Sequence, residues 1–134
     1  MNTADESPAV ELTATGGVEE EAFLATISEA LAERGPADTI LALALVHHLA
    51  IGNNTPLPKV AEWLASLCKT LIIEFVPKGD SQVERLLASR EDVFDGYTRE
   101  GFEKAFEVFF EVVHRREVSD SRRTLYAMRA RRGP

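Results

Sequence analysis

One cysteine, Cys68, stands in 134 residues. A lone cysteine excludes an internal disulfide and fits a reducing setting. There is no CxxC, no HExxH and no cluster of carboxylates, so metal binding has no support. A serine or cysteine nucleophile has none either, since Cys68 is far in sequence from His47 and His48. No apolar run reaches the ~20 residues that span a bilayer. The acidic N-terminus carries no signal-peptide core, so the expectation is a cytoplasmic protein without a membrane segment. Positive charge is nearly missing from the first 38 residues, where nine acids face one base, Arg34. The net charge of −7 speaks against general nucleic-acid binding. Seven arginines do crowd the last twenty residues. They interleave with Glu111, Glu117 and Asp120, and read as a solvated strand face plus a charged tail. No internal repeat is present.

What the chain does have is ordinary globular material, 45% hydrophobic and 28% charged, enough for one domain with a real core. It is organised around Asp38 to Ile51, DTILALALVHHLAI. The run from Ile40 to Val46 shows no alternation, as in a parallel strand buried on both faces. Gly35-Pro36 breaks the chain just before it. A short helical turn carrying His47 and His48 follows its end.

Around that strand the order reads α, β, α, β, α, α, β, β. Residues 1–17 are an acidic, disordered or weakly structured N-terminus, with Ala9 to Thr13 as a strand remnant. Val18 to Arg34 is a helix by the spacing of Phe23, Leu24, Ile27 and Leu31. Leu57 to Cys68 is a helix with Pro58 in its first turn. Lys69 to Val76 is a second apolar strand. Asp80 or Ser81 caps a helix to Ser89. Thr98 opens another, with Phe102, Ala105 and Phe106 inward. Phe110–Val118 and Arg122–Arg131 flank a short turn and so form an antiparallel hairpin. The first two long strands pair in parallel through a right-handed crossover.

This ordered set resembles the C-terminal half of a class I S-adenosylmethionine-dependent methyltransferase. LALALVHHL is similar to the family's fourth strand and strand-end motif. LIIEFVPKGDSQVERLL is similar to the fifth strand with the loop and helix after it. YTREGFEKAF, FFEVVHRREV and RRTLYAMRA are similar to the last helix and the sixth and seventh strands. The resemblance implies an α/β fold over residues 18–131, a partial Rossmann-like sheet. Two parallel strands are joined by an antiparallel hairpin, with helices on both faces and the last strand between the second and third. It also implies S-adenosylmethionine as cofactor of the complete fold. The glycine-rich turn and ribose-binding acid that would hold it are absent, as no GxGxxG occurs. The chain alone is therefore expected to bind no cofactor and to be inactive. It is a fragment of an enzyme, a non-catalytic pairing module, or one half of a split enzyme whose other half is supplied by a separate chain.

His47, His48 and Glu74 are the candidates nearest substrate or cofactor, since ligands bind at strand C-terminal ends in such sheets. Adjacent side chains diverge, so at most one histidine faces a pocket. Glu74 is either a general base or a carboxylate satisfied by backbone or Lys78. With the family's first strand missing, residues 39–45 are expected to form an open apolar edge. A missing N-terminal half, a partner chain or a second copy would pair there.

Overall fold

A computed structural model describes residues 10–12 and 37–131. Five strands form one sheet: β1 (Val10–Leu12), β2 (Ala37–Ala42), β3 (Cys68–Phe75), β4 (Phe110–Glu117) and β5 (Thr124–Ala130). Their order is β1-β2-β3-β5-β4. β1, β2 and β3 run parallel, and β5 lies antiparallel between β3 and β4. The expected partial Rossmann-like α/β sheet is therefore present, with its last strand inserted beside β3. The helix expected at Val18 to Arg34 lies outside the described residues.

Three α-helices follow the sequence signals: α1 (Leu57–Ala65), α2 (Ser81–Leu87) and α3 (Arg99–Glu107). α1 starts after Pro56 and tolerates Pro58, whose missing N–H would have no partner in a first turn. Asp80 caps α2 by accepting from the Gln82 N–H at 2.9 Å. Thr98 caps α3 by accepting from the Gly101 N–H at 2.9 Å. A cap of this kind contributes about 1 kcal/mol.

Alternation along the strands gives the sheet two unlike faces. Ile40, Ala42, Leu71, Ile73, Phe75, Tyr126 and Met128 are buried on the first. α1 and α3 both pack there. Phe102 of α3 sits 5.0 Å from the Phe75 ring and 5.1 Å from that of Tyr126, centroid to centroid. Leu41, Ile72, Leu125 and Ala127 occupy the second face and are only half-buried.

Two expectations change here. β2 stops at Ala42, because Leu43-Ala44 turn and Ala44 adopts φ 54°. A left-handed alanine cannot continue a strand. The edge of β2 is also not open. β1 pairs with it in register at Ile40, Leu41 and Ala42, so backbone groups expected to seek a partner there are met by Val10–Leu12.

Gly101 is the tightest backbone approach. A Cβ added there would lie 2.2 Å from the Gly96 carbonyl oxygen. Gly101→Ala should therefore destabilise the fold by about 1–3 kcal/mol through displacement of the 96–98 turn. Urea denaturation checks this; an unchanged midpoint would show the turn to be free to move.

Candidate functional site

The C-terminal ends of β2 and β3 bring the sequence candidates together. After Ala44 the chain turns through a π-helical segment, His48–Gly52, with His47 just before it. His47 is fully buried. Its Nε2 lies 3.3 Å from the Gln82 amide oxygen at the start of α2. With Nε2–H donating, the Nδ1 lone pair is buried and meets no hydrogen-bond donor among the described residues. The His48 ring is 4.5 Å away, tilted by 43°. His48 is half-buried, so the pair divides into one interior and one partly exposed ring. Burial, then the neighbouring His48, push the His47 pKa down to about 4. At neutral pH it is an uncharged imidazole.

Glu74 is tied on two sides. Its Oε1 accepts from the Ala44 N–H at 3.0 Å and from Arg123 Nη1 at 3.4 Å. The carboxylate thus stabilises the left-handed turn that ends β2. Of the two partners the sequence offered, backbone or Lys78, it is the backbone that serves it. Lys78 instead donates to Asp92 Oδ1 at 3.0 Å and to the Phe94 carbonyl at 2.7 Å.

Arg123 is the residue that sequence reasoning missed. Six of the seven C-terminal arginines give no local sign of being different from it. Yet the β4–β5 hairpin turns Arg123 inward, leaving its side chain 22% exposed. Nε and Nη2 both reach Asp80, at 2.9 and 3.1 Å, in a two-pronged contact. Hydrogen bonding to Arg123 holds the Asp80 carboxyl below its ordinary value. The chain of contacts Glu74–Arg123–Asp80 joins β3, the hairpin and α2. Gln82, two residues on, carries it to His47. The solvated-face expectation does hold for Arg115, which pairs with Glu103, and for Arg129, which pairs with Glu111.

A groove of about 650 Å³ lies elsewhere, between the start of α1, residues 93–97 and α3. Leu57, Phe94, Val108 and Phe109 line it, and none of His47, His48 or Glu74 does. Among the described residues no group of His, Cys, Asp or Glu is placed to hold a metal ion. No described helix is long and apolar enough to cross a membrane.

No protein-family model matches the chain. The chain is similar to the nodulation protein NoeA of Rhizobium meliloti (strain 1021). The two are 45% identical over 98 residues and are homologues. The match takes in 73% of this chain but 21% of NoeA, so the chain spans about a fifth of that relative's length. The name NoeA refers to nodulation and specifies no reaction.

The buried imidazole fixes a pH dependence. Unfolded, His47 binds a proton near 6.5; folded, near 4. Between those values the unfolded chain holds more protons, so stability is full above pH 6.5 and falls as pH drops toward 4. The loss is about 1.4 kcal/mol per pH unit, roughly 3 kcal/mol across the window. Urea midpoints at pH 7 and pH 4.5 should show it, and His47→Gln should flatten it. A wild type equally stable at both values would place the imidazole in water.

Arg123→Met should destabilise by about 1–3 kcal/mol, because two half-buried carboxylates lose their counter-charge. Glu74→Gln should cost less, since an amide oxygen can still accept from Ala44. If calorimetric melting gave the reverse order, Glu74 would be the anchor and Arg123 incidental.

Proposed function

We propose that the chain is the C-terminal, acceptor-side half of an S-adenosylmethionine-dependent methyltransferase fold and does not bind the cofactor alone. One observation carries this reading: the antiparallel β5 inserted between β3 and β4, after two parallel strands joined by α1. Sequential hairpins leave the last strand outermost, so the inserted order is informative. In this reading β1 occupies the place that the resemblance assigns to the family's first strand. It is three residues long, and no GxGxxG follows it. Phosphate- and ribose-binding sites of such sheets rest on that turn and on an acid at the next strand.

His47 and His48 then stand beside the place where the methyl-donor and acceptor parts of a completed site meet. The neutral His47 ring would orient its neighbour rather than move a proton. A setting in nodulation comes to this reading through the similarity to NoeA.

Isothermal titration of the isolated chain with S-adenosylmethionine should give no heat of binding up to millimolar ligand. Saturable binding at micromolar concentration would overturn the half-site reading, because it would require a complete cofactor cradle within these residues.

A further inference from the structure

We infer that the groove between the start of α1, residues 93–97 and α3 binds a zwitterion with an apolar body, an α-amino acid carrying a large aliphatic or aromatic side chain. The site lies apart from the strand-end corner and does not depend on the cofactor reading above. It begins with the spacing on α3. Gly101, Lys104, Ala105 and Val108 recur at three and four residues and so share one side of the helix. Phe102, on another side, is buried against Phe75 and Tyr126 of the sheet. Gly101 and Ala105 are too small to fill the space beside them. This leaves a trough of about 650 Å³, a size that suits a small molecule.

Both walls are pre-formed. Residues 93–97 are clamped at three points. Lys78 donates to the Phe94 carbonyl at 2.7 Å, and Asp92 Oδ1 accepts from the Phe94 N–H at 3.1 Å. The Tyr97 hydroxyl donates to the Val76 carbonyl at 2.5 Å. On the α1 side Pro56 and Pro58 flank Leu57, and each proline fixes its own φ. Leu57 is buried, and Phe94 and Phe109 are half-buried. Val93 and Val108 stand at the rim, 64% and 66% exposed. The lining is thus apolar from floor to rim.

Charge selects the ligand. Two charged residues stand in the described lining, Asp95 and Lys104, one of each sign. Both are exposed, and neither has an ion pair among the described residues. The neighbouring acids do not alter this balance. Asp92 is held by Lys78, and Glu103 by Arg99 and Arg115. Glu100 and Glu107, about one turn to either side of Lys104 on α3, do not line the groove. A ligand with a lone carboxylate would meet Lys104 favourably and Asp95 unfavourably, and a lone amine the reverse. A zwitterion offers each its opposite. Exposed pairs are weak, so the apolar body supplies most of the affinity and the two charges supply the choice. A dissociation constant on the order of 1 mM fits a ligand of amino-acid size.

The test titrates the full, isotopically labelled chain with L-phenylalanine and follows its amide NMR signals. Shifts at Leu57, Gly96 and Ala105 should saturate, with a dissociation constant of about 1 mM. Phenethylamine lacks the carboxylate and phenylpropionate lacks the amine; each should bind about three to five times more weakly. Lys104→Met should weaken L-phenylalanine by the same factor and remove its advantage over phenethylamine. Asp95→Asn should remove its advantage over phenylpropionate. Both positions are exposed, and circular dichroism of each variant controls for folding. No saturable shift up to about 20 mM overturns the inference. Equal affinity for all three ligands, or indifference to both substitutions, overturns it too, because the groove would then be apolar without charge selection. Shifts confined to His47–Gly52 would place the ligand at the strand-end corner and overturn it equally.

Discussion

Everything described here hangs on the pairing of β3 on both sides. Cys68–Phe75 takes β2 in parallel along one edge and β5 in antiparallel along the other. That double pairing satisfies the amides of an eight-residue strand whose apolar side chains would otherwise make it a poor edge. It also sets the core. Leu71, Ile73 and Phe75 face α1 and α3, and Phe102 joins Phe75 to Tyr126. Remove the register of β3 and the two helices have no common surface.

The strand ends depend on the same element. Glu74, the penultimate residue of β3, holds the Ala44 amide and thereby the left-handed turn that releases the chain from β2. A non-glycine residue in that region costs about 1–2 kcal/mol, and the carboxylate contact offsets it. Arg123 ties this corner to the hairpin and to the first turn of α2. His47 is buried and neutral, with Gln82 of α2 against its ring. The chemistry open to the site is thus fixed by packing before any ligand arrives.

Much of this was legible in the residues. Two apolar runs without alternation gave the parallel strands, and Pro56 and the Asp80 and Thr98 caps gave the helix starts. The short 119–121 turn gave the hairpin. The inserted position of β5 came from the family resemblance, since a hairpin alone would not choose which strand lies inside. The end of β2 was not legible, because alanine carries no mark of a positive φ. Cys68 opens β3 instead of closing the preceding helix, as helix ends fray over one or two residues. Arg123 was hidden for a different reason. Its partners, Glu74 and Asp80, are 49 and 43 residues away, and only the folded hairpin brings it to them. Of the candidate site, His47 and Glu74 were found by position, but their roles follow from contacts that spacing cannot supply. The closing of the β2 edge by β1 rests on three residues whose alternation was weak.

The central claim is that the corner where β2 and β3 end holds His47 as a buried, neutral imidazole. NMR titration of the His47 ring measures that directly. Its pKa should lie near 4, below the 6.5 of a free ring. A ring that takes up its proton near 6.5 would contradict the account.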